Sequence, residues 1–153
     1  MSEKSLRVLL VVFGVFNVGP GIWAMVAPQH WFDEFPGWSP YVVAAYPPYN
    51  EHLSFDAGAA LFASGALLLI AAAWPRRDIL LVALTGYACF TVPHAIYHVV
   101  QRAEPLTDRE NVTSVAGPLV ISALVGLFLI VVAIRHDNIS RPDPTAKQPS
   151  RPR

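Results

Sequence analysis

The sequence predicts an all-α fold, a bundle of four helices that cross a lipid bilayer. Three observations lead there. Hydrophobic residues make up 54% of the 153 positions and charged residues only 14%, against about 25% charged in a soluble domain. Four segments each carry the roughly 20 mostly apolar residues that a spanning helix needs. Within them Leu67–Trp74, Ile79–Leu84 and Leu119–Ile134 have almost none of the polar face that a helix in water keeps. The mean hydropathy of +0.41 agrees.

The first span covers residues 6–27, after Lys4 and beside Arg7, and stops at Pro28. Its length, Trp23 and the absence of a small residue at Met25, three positions before a cut after Ala27, read as an uncleaved helix and not a signal peptide. Asn17 lies near its middle beside Gly19-Pro20-Gly21. That run predicts a broken helix whose freed backbone groups need partners or a cavity. Residues 28–52 form a long loop rich in aromatics: Trp31, Phe32, Phe35, Trp38, Tyr41, Tyr46 and Tyr49. Pro36, Pro40, Pro47 and Pro48 preclude a long helix there, leaving short helical turns near His30–Phe35. Such rings favour the membrane interface, so the loop reads as an interfacial anchor, with a lid over a pocket as the alternative.

The second span, 53–74, is dense in small residues from Ala57 to Ala66. Small residues let membrane helices approach closely, which predicts this helix at the centre of the bundle. The third span, 79–100, follows Pro75-Arg76-Arg77-Asp78 and contains Pro93. The fourth, 112–134, carries Ser114, Gly117, Ser122 and Gly126, a second expected close-contact stripe. The membrane domain is thus 1–136, and the Pro-, Arg- and Ser-containing segment 137–153 reads as a disordered cytoplasmic tail.

Charge placement gives the spans a direction. Lys4, Arg7, Arg76, Arg77, Arg135, Arg141, Lys147, Arg151 and Arg153 fall on one side of four crossings, and only Arg102 and Arg109 on the other. The basic side is expected in the cytoplasm, which gives a multi-pass plasma (inner) membrane protein with both termini inside and the aromatic loop outside. The formal net charge of +0 offers nothing to a nucleic acid. The lone Cys89 cannot form an internal disulfide and reads as a buried thiol. Asn111-Val112-Thr113 matches a glycosylation sequon but abuts a span, so it is discounted.

Ionisable residues inside spans are costly and mark functional candidates. Here they gather at the outer ends of the second and third helices. His52 and Asp56 are four residues apart and share a helix face; so do His94 and His98. At 1.5 Å rise per residue, His98 and His94 lie roughly 6 and 12 Å below Arg102, a depth that Asp56 can match. Three imidazoles and a carboxylate suit a divalent transition metal: zinc, iron or copper. Haem b is a secondary reading that leaves the carboxylate unexplained. Tyr87 and Thr91 continue the His94–His98 face inward, and with Asn17, Glu51 and Tyr97 they complete the expected lining of an outward-opening polar pocket. His30 reads as a solvated loop histidine, and His136 lies on the opposite side.

Two functions follow from these residues. One is a non-catalytic accessory or assembly subunit of a larger membrane complex, the four ionisable residues forming a structural network. The other is a metal-binding membrane protein or enzyme acting on a lipid-soluble substrate, with Tyr97 or Glu51 near for proton transfer. The first is the working expectation, with the bilayer, other membrane subunits or further copies of the chain as partners.

Gly19-Pro20-Gly21, Ala27-Pro28 at the end of the first helix and Asp56-Ala57-Gly58 early in the second resemble small bacterial four-helix membrane proteins of the DoxX-like type. The likeness covers the spans and leaves out the aromatic loop. It implies a four-helix membrane fold and a role that in such families is mostly unknown or else accessory to oxidoreductases, and it assigns no catalytic residue. The Ala-, Val-, Arg- and Pro-rich composition fits a high-GC bacterium.

Overall fold

The computed structural model describes residues 3–140. They form α1 (Glu3–Val26), α2 (Pro28–Glu34), α3 (Glu51–Ala73), α4 (Arg77–Val100) and α5 (Asp108–Ser140), and no strand occurs among them. α1, α3, α4 and α5 are long and apolar enough to cross a membrane. The chain is therefore an all-α, multi-pass membrane protein. Segments 27–50 and 101–107 lie at one end of the bundle, the loop end; the start of α1 and the α3–α4 turn lie at the other.

α3 is central, packing on α1 most extensively and also on α4 and α2, while α5 packs on α4. The intimacy of α1 and α3 has a specific cause. Gly14 lies against Gly65, and Gly21 against Gly58. A Cβ at Gly65 would stand 2.6 Å from the Gly14 carbonyl oxygen, and one at Gly21 would stand 2.6 Å from the Phe62 backbone nitrogen. Only glycine permits backbones this close, and membrane helices associate through such close packing. In α5, by contrast, Gly117 and Gly126 have nothing within 4 Å. They are nine residues apart, half a turn out of phase, so at these two glycines the expected close-contact stripe makes no such contact among the described residues.

α1 is continuous through Pro20, which corrects the expected break at Gly19-Pro20-Gly21. Proline removes a single backbone donor, and Asn17 does not depend on a gap: its Nδ2 donates to the Phe13 carbonyl at 2.7 Å and to the Tyr87 hydroxyl at 3.0 Å. The core lies towards the termini end, where Leu10, Leu68, Ala71, Ala72, Leu80, Leu84, Tyr87 and Val125 bring all four long helices together. The guanidinium of Arg7 donates to the carbonyl of Ala72 at 3.2 Å, placing a cation where the α3 dipole and its orphan carbonyls favour one.

α5 runs to Ser140, past the expected end of the span at Ile134. No proline or glycine interrupts the chain until Pro142, before which a helix normally ends. The rest of the expected tail, 141–153, lies outside the described residues. Cys89 is exposed and not buried as expected, because it stands two positions from Tyr87 in α4, across the helix from the buried line.

Candidate functional site

The buried line of α4 runs through Leu80, Ala83, Leu84, Tyr87, Thr91 and Ala95. His94 and His98 lie one position before Ala95 and three after it, on the flank of that line near the loop end. Their rings meet edge to face with centroids 4.6 Å apart. Phe90 stacks on His94 at 5.7 Å and 11°. His98 is half-buried because the loop reaches across to it.

That reach is made by Tyr46. Its hydroxyl donates to the carbonyl of Gln101 at 3.2 Å and stands 3.2 Å from Nδ1 of His98. Gln101 is the C-cap of α4, so the phenol satisfies a carbonyl at a helix end that has no intrahelical partner. The Tyr46 ring also packs against Tyr97 at 5.9 Å and His98 at 5.6 Å. A phenol has one hydrogen. Since a carbonyl can only accept, that hydrogen is committed to Gln101, and the second contact is a hydrogen bond when Nδ1–H of His98 donates to the phenol oxygen. In the neutral ring this assigns His98 the Nδ1–H tautomer, with the lone pair on Nε2. Burial pushes the Tyr46 hydroxyl above its usual range, with Tyr97 adding to the effect; the phenol stays protonated and keeps its hydrogen to donate.

The remaining expected residues distribute differently. His52 Nε2 and Asp56 Oδ2 pair at 3.2 Å, with side chains 87% and 56% exposed. They face away from the packed side because α3 buries Ser54 and Gly58, each two residues further on and so nearly opposite on a helix. Among the described residues no group of three or more His, Cys, Asp or Glu is gathered for a metal. The expected four-ligand set is thus corrected to two separate pairs, His52–Asp56 on α3 and His94–His98 on α4. Equal depth brings ligands together only when both pairs face each other, and here the register of α3 on α1 turns one pair outward.

The expected pocket also resolves differently. Asn17 and Tyr87 meet in the buried core. Thr91 is buried, and its hydroxyl donates to the Tyr87 carbonyl at 3.1 Å. Glu51 is exposed at the first turn of α3, and Tyr97 is half-exposed beside Tyr46. The void next to Tyr87 is only about 10 Å³, and its walls are Leu10, Phe13, Leu68, Leu84, Tyr87, Ile121, Leu124, Val125 and Phe128. A void so small and so poor in polar groups holds no bound water.

Two positioning groups escaped the sequence reading. Asn111 accepts from the backbone N–H of Ala103 at 2.9 Å and donates to the carbonyls of Ala103, Leu106 and Thr107 at 3.0–3.2 Å. This buried amide holds the whole 103–107 turn, which explains its place in an apparent sequon. Thr107 and Glu110 exchange hydrogen bonds at the start of α5, a capping box whose T-x-x-E signal is visible in the sequence. His30 likewise has a partner, accepting from Trp23 Nε1 at 2.9 Å.

No family model, curated protein or solved structure matches the chain.

Proposed function

We propose that the chain is a non-catalytic subunit of a larger assembly in the plasma membrane, with its termini in the cytoplasm and residues 27–50 presented outside as a docking surface. The observation that carries this reading is the fastening of that segment. Loop aromatics that serve only as interfacial anchors need no fixed conformation. This loop is tied at several points: Val42 N–H donates to the Phe35 carbonyl at 3.0 Å, Tyr46 bridges to His98 and Gln101, and Phe32 packs edge-on against Tyr49 at 5.3 Å. Gly37 supplies the turn, with a φ of 103° that other residues rarely adopt. Trp38 and Tyr41, beyond that turn, are 65% and 41% exposed. Tyr and Trp held rigidly at a surface are the residue types that anchor protein interfaces. The excess of basic residues at the opposite end supports the orientation.

Photo-crosslinking in native membranes tests it. A benzophenone amino acid at Trp38 or Tyr41 is expected to trap one protein partner at fixed ratio, while the same probe at lipid-facing Val12 is not. Adducts with lipid alone at all three positions would leave the loop as an anchor and reject the subunit reading.

A further inference from the structure

The accessory reading makes no use of the lone pair on His98 or of its neighbour His94. Among the described residues His94 has only ring partners, Phe90 and His98, so its nitrogens are uncommitted. Two imidazoles four residues apart share one helix face, the spacing by which a helix offers two nitrogens to one zinc ion at about 2.0–2.1 Å, and here their rings are in contact. In metal sites the ligating histidine typically donates its other ring N–H to an orienting acceptor, which fixes the tautomer and raises basicity. The His98–Tyr46–Gln101 chain is that arrangement, with Nδ1 held and Nε2 available.

We infer that His94 and His98 form a two-imidazole site for a divalent transition metal at the loop end of α4, with Tyr46 as its positioning residue. Imidazole nitrogen favours zinc, copper and nickel over the hard cations calcium and magnesium. Water, or a group from an assembly partner, completes the coordination. The site is independent of the docking reading: it survives if the loop binds no protein.

The test uses the full chain in lipid nanodiscs. Zinc titration by calorimetry is expected to show a site of one ion per chain that persists in the His52→Ala/Asp56→Ala double variant. His94→Ala and His98→Ala should each weaken it tenfold or more. Tyr46→Phe retains both ligands and should weaken it by roughly tenfold, the lower end for an orienting partner. In metal-free protein the His98 ¹⁵N signals should report the Nδ1–H tautomer, and Tyr46→Phe should abolish that preference, a change that lost stability alone does not produce. Copper loaded into the unaltered chain should show two nitrogen ligands by electron paramagnetic resonance, which removes any dependence on variants that fold poorly. Absence of zinc binding, or binding lost with His52→Ala and kept with His94→Ala, would overturn the assignment.

Discussion

Substituting Gly21 by alanine adds one methyl group, and the structure says where it goes. Its Cβ would stand 2.6 Å from the Phe62 backbone nitrogen, 2.8 Å from the Gly58 carbonyl oxygen and 2.9 Å from the Phe62 Cα. All three are backbone atoms of α3, so no side chain can rotate aside. Ordinary contact begins near 3.4 Å, so α1 and α3 must separate locally by roughly 0.8 Å, a gap that forfeits about a quarter to a half of each dispersion contact it opens. Overpacking of this kind costs about 1–3 kcal/mol. At about 2–4 °C per kcal/mol for a chain of this size, the melting temperature should fall by roughly 2–12 °C. The control is Gly19→Ala, two residues away in the same helix, where a Cβ meets nothing within 4 Å. It should be neutral or stabilise by up to about 1 kcal/mol, since alanine is the better helix former. Thermal melts of both variants in one detergent, followed by size-exclusion fluorescence, decide the matter. Equal shifts for the two, or a Gly21→Ala protein as stable as the parent, would refute the close α1–α3 register.

Three further outcomes are expected. Asn111→Ala removes four hydrogen bonds around a buried turn and should cost about 2–3 kcal/mol, read as a comparable drop in melting temperature; the same variant should leave electrophoretic mobility unchanged in a glycosylating host. Tyr87→Phe deletes the interhelical bond to Asn17 but leaves the Asn17 amide its Phe13 acceptor, so the loss should stay within about 0.6–1.7 kcal/mol in a reversible unfolding assay in mixed micelles. Tyr46 links stability to alkaline pH: its folded value is raised, so its stabilisation is complete below the ordinary phenol range and is lost as pH rises through the raised value. Melts between pH 8 and 11 should therefore decline less steeply for Tyr46→Phe than for the parent.

The sequence by itself determined the solvent, the class and the count of crossings. Uninterrupted apolar runs can satisfy their backbone groups in lipid only as helices, and each run is long enough to span. Local signals in the chain were equally readable. Proline positions kept residues 35–50 irregular, and the i, i+4 spacing of His52–Asp56 and His94–His98 correctly paired residues within each helix.

Only the tertiary structure decided which of these pairs share a space. A helical sequence gives the spacing along a face but not the rotation of one helix against another. That rotation is set here by Gly14 with Gly65 and Gly21 with Gly58. The two glycines of each helix stand seven residues apart, Gly14 and Gly21 in α1 and Gly58 and Gly65 in α3, a register invisible until the two helices are laid antiparallel. Locking Ser54 and Gly58 into the bundle turns His52 and Asp56 outward, and so a four-ligand cluster plausible by depth becomes two pairs. The same long-range step brings Tyr46 to His98, 52 residues away, and makes the aromatic loop part of the fold. Composition could assign the loop's rings to a membrane surface; tertiary packing decided that one of them holds a histidine.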